Sequence, residues 1–311
     1  MKVGIDLGGT KIAAAILNSQ NEIILKQSIL TNHKEGAENV IRRMSQLVID
    51  LAQNAGINAC DIEHIGIGSP GTIDSSNGVV LYSNNIEWNH VNLRGLMQTY
   101  INVPVYIEND ANCAALGEYI AGAGKQYSSM VMVTLGTGIG GGIILGNKLY
   151  RGRYNTEIGH TAIISNGELC TCGRKGCWEA YGSVTAFIRL ANQMADEFPD
   201  SALFKARKED GELNGKNIFS AVKSGDKTAK ALFEQYIFYV AEGITNLVNV
   251  LDPEAIVIGG GISKEGAFLI DPIREFVKRN IFCKCIPIPV ITTSELGNDA
   301  GIIGAACLNE Y

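Results

Sequence analysis

An α/β fold of two related halves is predicted by two features of this chain. Strand-like apolar segments feed segments of helical periodicity, and a unit of strand, glycine turn and strand occurs twice. Residues 3–17 (VGIDLGGTKIAAAIL) align with residues 131–145 (VMVTLGTGIGGGIIL), which sets Asp6 opposite Thr134.

The elements follow in order. After the first hairpin, residues 35–55 carry Val40, Ile41, Met44, Leu47, Val48 and Leu51 at the spacing of a helix with one buried face. Residues 65–68 (IGIG) read as a short inner strand, and 104–108 (PVYIE) as another. Asn109-Asp110 lie where that strand gives way to a compact helix over 111–120, stopped by Gly122 and Gly124. Beyond the second hairpin, helices are predicted over 185–198, 227–251 and 264–279, with a buried strand at 255–258. Residues 300–308 (AGIIGAACL) are predicted to form a helix that packs back on the first half. No linker rich in Pro, Ser or charge separates the halves, so the boundary is set where the short helix exits into glycines. That gives an N-terminal lobe of residues 1–118 plus 298–311 and a C-terminal lobe of 119–297.

Each glycine turn offers backbone N–H groups to an anion, because glycine has no Cβ to block close approach. Two such turns facing one cleft suit a polyphosphate, and so a phosphotransferase. A pair of ordinary glycine hairpins is the plainer alternative. A dinucleotide fingerprint is excluded because GGGIIL (140–145) continues as strand rather than helix. Neither turn has the Gly-x-x-x-x-Gly-Lys-Ser/Thr spacing of a Walker loop.

Composition narrows the class. The chain has 311 residues, 46% hydrophobic and 19% charged, enough for one large or two moderate domains. Its 32 acidic and 26 basic residues give a net charge of −6, with Lys and Arg scattered, so no nucleic-acid footprint is expected. Apolar runs fall far short of the roughly 20 residues that cross a bilayer. No secretory leader precedes the first strand, which points to a cytoplasmic protein that engages no membrane. Of eight cysteines, Cys60, Cys113 and Cys307 read as small buried hydrophobes, and Cys283 and Cys285 as too close along one strand to pair.

The remaining three cysteines have a reason to be together. His160, Cys170, Cys172 and Cys177 form His-x9-Cys-x-Cys-x4-Cys, with Gly173 and Gly176 in the turns. Three thiolates and an imidazole complete a tetrahedron with no open position, the pattern of a structural zinc; a disulfide framework is the weaker alternative. Glu157 and Glu179 flank this cluster, and a pair of fixed carboxylates suits a polyol, with the second ring nitrogen of His160 in reach of a third hydroxyl. Either Glu also reads as a solvated surface charge. Asn109-Asp110 reads two ways as well. It is a favoured helix cap, or Asp110 is the group that orients an attacking hydroxyl and takes its proton late in a loose phosphoryl-transfer transition state.

Taken in order, these motifs resemble the ROK (repressor, open reading frame, kinase) family of sugar kinases over essentially the whole chain. DLGGTK (6–11) resembles its first phosphate loop, LGTGIGGG (135–142) the second, SPGTID (69–74) the sugar-side segment, NDANCAALGE (109–118) the catalytic segment, EIGH (157–160) the sugar and zinc element, and CTCGRKGCWE (170–179) the zinc loop. The resemblance implies a two-lobed actin-like ATPase fold of the ribonuclease H-like class. Its duplicated βββαβα-type lobes enclose an active-site cleft and close over the sugar. It implies ATP and Mg²⁺ as the phosphoryl donor, a structural Zn²⁺, and a hexose acceptor, with Asp110 as base. Asp6 then holds the metal through water, while Gly8, Gly9, Thr10, Lys11, Thr137 and Gly138 approach phosphates. Gly259, Gly260 and Gly261 match the nucleoside-side loop, although a plain strand-to-helix turn also uses glycines. Asn109, Glu157, His160 and Glu179 bind the sugar, together with Asn85. A homodimer or homotetramer is the usual assembly.

Two positions depart from the family pattern. Thr156 stands where glycine usually precedes the acid of EIGH, and Glu87 stands where glycine is common in the segment 83–88 (SNNIEW). Glucose is the simplest acceptor; N-acetylmannosamine, N-acetylglucosamine, fructose and allose kinases share every catalytic residue. A sugar-sensing transcriptional regulator is the alternative from another class, but Lys2 already begins the first strand, leaving no room for a helix-turn-helix. A sugar-binding remnant without activity is opposed by the presence of Asp110.

Overall fold

The computed structural model describes residues 1–58 and 61–311; Cys60 lies outside the described residues. The chain forms two compact units, one of residues 1–132, 141–156 and 294–311, the other of 133–140 and 157–293. The division at residue 118 read from the sequence therefore differs from this one, which keeps 119–132 and 141–156 with the first unit.

The first unit begins with β1 (Lys2–Leu7), β2 (Lys11–Leu17) and β3 (Ile23–Leu30), followed by α1 (Ala37–Asn54) and β4 (His64–Ser69). Then come β5 (Thr72–Asp74), β6 (Val79–Ser83), β7 (Trp88–Val91), α2 (Leu93–Tyr100), β8 (Val105–Asn109) and α3 (Asp110–Ala121). The main sheet runs β3-β2-β1-β4-β8. Antiparallel pairing joins β1 to β2 and β2 to β3, and parallel pairing joins β1 to β4 and β4 to β8. β1 and β4 are buried almost throughout, whereas β8, at the edge of the sheet, exposes Tyr106. β5, β6 and β7 form a small antiparallel sheet inserted between β4 and β8. The face of α1 that the sequence identifies is buried, with Val40, Ile41, Met44, Val48 and Leu51 fully out of water.

The second sheet uses β9 (Met130–Leu135), β10 (Ile139–Leu145) and β11 (Lys148–Tyr150), then β12 (Ala255–Gly259) and β13 (Val290–Thr293), in the order β11-β10-β9-β12-β13. The strand order of the first sheet is thus repeated, the structural counterpart of the repeated glycine hairpin. Between β11 and β12 lie α4 (Glu179–Gly182), α5 (Val184–Glu197), α6 (Ala202–Asp210), α7 (Gly215–Lys223) and α8 (Lys227–Leu251). Four of these are stopped or started by side-chain caps, from Ser183, Ser201, Asn214 and Asp226. The helix read over 264–279 is α9 (Ala267–Asn280), shorter at its start because Gly266, at φ +57°, separates it from a 3-10 turn at 261–265. Cys283 and Cys285 lie in the turn after α9, not on a strand. Among the described residues no helix is long and apolar enough to cross a membrane.

The last helix, α10 (Ala300–Ala306), packs against β1, β4 and α3 within the first unit. This approach is nearly backbone to backbone. A Cβ on Gly66 would stand 1.7 Å from the Ala305 carbonyl oxygen, and one on Gly4 would stand 1.9 Å from that of Ile302. The helix is also tied to the sheet by polar contacts. His64 Nε2 lies 2.7 Å from the Ala306 carbonyl oxygen, and the Lys2 ammonium donates to Glu310 at 2.7 Å beside the Cys307 thiol. Because carbonyl oxygens cannot yield as a flexible side-chain tip would, Gly66→Ala is expected to destabilise the protein by about 3 kcal/mol or more. Urea denaturation checks this; an unchanged midpoint would contradict the close packing.

Candidate active site

Register brings the first group of site residues together. β1 pairs with β4 so that Asp6 faces Gly68, and β4 pairs with β8 so that Ser69 faces Asn109. Asp6 and Asp110 therefore emerge at the same end of three adjacent strands. Burial, followed by the charge of Asp110, pushes the Asp6 carboxyl up to about 6, with Lys26 opposing. The Asp110 carboxyl is raised as well, mainly by burial and against the hydrogen bond it accepts from the Ala111 amide at 2.8 Å. Two recessed carboxylates at the same end of the sheet offer oxygen ligands to a divalent cation and an acceptor to a hydroxyl donor.

Asn109 does what a cap residue does. Its Oδ1 accepts from the amides of Ala111 and Asn112, and its Nδ2 donates to the Gly71 carbonyl at 3.1 Å. Beneath it sits a feature that sequence reading missed. Glu108 is fully buried and its carboxylate accepts from the Asn109 amide (2.9 Å), Asn112 Nδ2 (3.1 Å), Ser75 Oγ (3.2 Å) and Arg151 Nε (2.6 Å). Arg151 also donates to the Tyr311 carbonyl at 2.9 Å. The backbone just before Asp110 and the Asn112 side chain just after it are thus held by one buried ion-pair network.

In the first glycine turn, the Gly8 amide closes on the Lys11 carbonyl at 3.0 Å, so it serves the turn itself. Thr31 Oγ1 donates to the Gly8 carbonyl, and a His33 ring nitrogen lies 3.3 Å from that of Gly9. Thr10 and Lys11 are exposed. Asn85 is exposed in the turn before β7, and a Cβ on Gly9 would reach within 3.2 Å of its carbonyl oxygen. Glu87, in that turn, has φ +57°, the left-handed region that accounts for glycine at the matching family position. Thr156 has no positive φ, so its backbone does not require glycine.

The second unit has its own anchored carboxylate. Trp178 is fully buried and donates through Nε1 to the Tyr239 carbonyl on α8, which fixes Glu179 at the start of α4. Glu179 Oε2 accepts from the Ile139 amide at 3.0 Å, and Oε1 from Thr171 Oγ1 at 3.2 Å. A Cβ on Gly138 would stand 2.2 Å from Oε2. The structure thus brings Glu179 against the second glycine turn, where Thr137 is exposed. Gly260 approaches the Leu135 backbone so closely that a Cβ would stand 2.0 Å from its carbonyl oxygen, a packing reason for that glycine; Gly259 ends β12 and Gly261 opens the following turn.

Nearby, the donor atoms of His160, Cys170, Cys172 and Cys177 all lie within 4.8 Å of one another. His160 Nδ1 is 3.6 Å from Cys170 Sγ, and Cys172 Sγ is 3.7 Å from Cys177 Sγ. Tetrahedral zinc with Zn–S near 2.3 Å separates its ligands by about 3.7 Å, so the residues fit that ion. The donor chemistry agrees: three thiols and one imidazole are the ligand types of a closed tetrahedral zinc site. Gly176, at φ +82°, turns the loop against Ile164. His160 opens towards the cluster through Nδ1, while Glu157 precedes it at an exposed position.

Residues 2–311 match the ROK family as a whole. The glucokinase of Streptomyces coelicolor is 35% identical over 99% of this chain and 97% of its own. The glucokinase of Thermotoga maritima is 34% identical over 98% and 96%. A crystal structure of a ROK family glucokinase from Streptomyces griseus, in complex with glucose and AMPPNP, is similar with a TM-score of 0.83 and 37% identity, covering 99% of this chain and 98% of that one.

Two outcomes check this geometry. Arg151→Ala leaves the buried Glu108 carboxylate without its cation and is expected to cost about 3 kcal/mol in chemical denaturation; a loss below about 0.5 kcal/mol, the level of an ordinary surface change, would remove the network from the stability of the unit. Metal analysis is expected to find about one zinc per chain, and Cys172→Ser to lose it. Protein free of zinc, with a harmless Cys172→Ser, would eliminate the tetrahedral site.

Proposed function

The chain belongs to the ROK family and is an ATP-dependent sugar kinase, and we propose that its acceptor is glucose, converted to glucose 6-phosphate. The fold is the two-lobed actin-like ATPase fold of that family. The phosphoryl-transfer reading rests on the emergence of Asp6 and Asp110 at the same end of the strands of the first sheet, with Asp110 opening α3. Similarity to glucokinases along nearly the whole chain supports glucose over its alternatives.

Asp110 orients the sugar hydroxyl and receives its proton as the oxygen bonds phosphorus. Burial makes it a stronger base than an exposed carboxylate, and the Ala111 amide engages one of its oxygens, leaving the other for the acceptor hydroxyl. Mg²⁺, held through water by Asp6, would neutralise charge on the transferring phosphoryl group. Gly8, Gly9, Thr10 and Lys11 line the first phosphate turn, and Thr137 and Gly138 the second. Gly259, Gly260 and Gly261 serve the nucleoside side. Asn85, Asn109, Glu157, His160 and Glu179 recognise sugar hydroxyls, Asn109 acting chiefly through the cap that sets Asp110. The zinc cluster holds the loop that carries His160 and leads to Glu179.

An assay coupled to ADP release, run across glucose, N-acetylmannosamine, N-acetylglucosamine, fructose and allose, tests the acceptor; faster turnover on an N-acetylated sugar overturns glucose. Asp110→Asn is expected to lower turnover by about 10²-fold or more while calorimetry still detects glucose binding. Turnover equal to the parent enzyme would strip Asp110 of its role.

A further inference from the structure

The segment between α9 and β13 carries a chemistry that phosphoryl transfer does not use. Ile281 is buried, and the Phe282 amide donates to Asn249 Oδ1 at 3.0 Å, so the start of the segment is fixed. The chain then turns, and the Sγ atoms of Cys283 and Cys285 come within 2.7 Å of each other. On a strand, residues two apart stand about 6.6 Å from Cα to Cα, at the outer limit for bridging; the turn removes that obstacle. Cys283 is half-buried and Cys285 exposed. Their sequence neighbours Lys284 and Ile286, with Arg274, Glu275, Lys278 and Ile281, line a cavity of about 360 Å³. Arg274 is engaged by Asp271 and by the Ile291 carbonyl, while Lys278 and Lys284 are exposed, giving the cavity an excess of positive charge over its one acid.

We propose that Cys283 and Cys285 are a reversible dithiol site that closes to an intrachain disulfide by exchange with an anionic low-molecular-weight disulfide of the glutathione class, received by the cation-lined cavity. The thiolate of Cys283 attacks one sulfur of the incoming disulfide, a protein–glutathione bond forms, and one glutathione thiolate leaves and takes up a proton. Cys285, giving its proton to solvent, then attacks the Cys283 sulfur; the intrachain S–S bond forms and the second glutathione leaves. Two protein thiols are oxidised and one small disulfide is reduced to two thiols, and excess reduced glutathione reverses the sequence. Hydrogen bonds from the Cys285 side chain and amide favour the Cys283 thiolate, against the nearby charge of Asp252. The other described thiols are set apart: Cys113 and Cys307 are buried, and Cys170, Cys172 and Cys177 form the metal-type cluster.

The test uses the zinc-loaded protein, oxidised glutathione, alkylation and peptide mass mapping. The expected product is a peptide holding both Cys283 and Cys285, lighter by two hydrogens, closed to alkylation and reopened by excess reduced glutathione. Cys285→Ser is expected to stop at a glutathione adduct on Cys283. Cystamine, a cationic disulfide, is expected to react more slowly than oxidised glutathione, with the gap closing at high salt. The proposal is overturned if both thiols stay open to alkylation, if each accumulates an adduct without ring closure, if the bridge forms between chains, or if cystamine reacts as fast as glutathione at low salt.

Discussion

A carboxylate taken wholly out of water demands compensation, and Glu108 obtains it from four donors drawn from separate parts of the first unit. The Asn109 amide and Asn112 belong to the β8–α3 junction, Ser75 to the inserted sheet, and Arg151 to the segment after β11. Removing any donor leaves part of a buried charge unsatisfied, so the network selects one arrangement of all three. At the other end of α3, Glu118 is equally buried and accepts from the amides of Ala123, Glu295 and Leu296. The helix that opens with Asp110 is therefore pinned at both ends. On the proposed function, this support fixes the helix start from which Asp110 meets the acceptor hydroxyl.

The second unit solves the same problem with different means. Glu179 is positioned by a buried tryptophan behind it and by the Ile139 amide and Thr171 hydroxyl in front. One carboxylate thus joins the loop of the metal-type cluster to the second glycine turn. Asn109 and Gly260 each satisfy a local structural demand, the one as a helix cap and the other through close packing against the Leu135 backbone.

Much of this was legible in the sequence. Elements with long periodicity, such as α1 and α8, and the repeated hairpin were readable because their pattern is local. β5, β6, β7 and α2 were not singled out, being short insertions whose burial depends on the sheet they join, and α6 and α7 are short helices whose caps at Ser201 and Asn214 are the main local signal. The cysteine spacing announced its cluster, and the Asn109 cap marked the strand-to-helix junction at which α3 begins. Glu108 could not be recognised as a buried anchor, because its cation is 43 residues away and nothing in the local pattern marks either partner. The same holds for the Glu179 contact with Ile139, 40 residues apart. Cys283 and Cys285 were misjudged because a strand was assumed where the chain turns.

The seating of α10 on β1 and β4 has a consequence for how the protein is made. Lys2 and Cys307, which meet across that seam, are 305 residues apart. At about 5–20 residues per second, translation takes on the order of 15–60 s to cover that distance. Throughout that interval the nascent first sheet presents a face lined by Gly4 and Gly66 against which α10 packs. The first unit therefore keeps this face open until α10 has been made, and its packing is completed long after β1 and β4 have been synthesised.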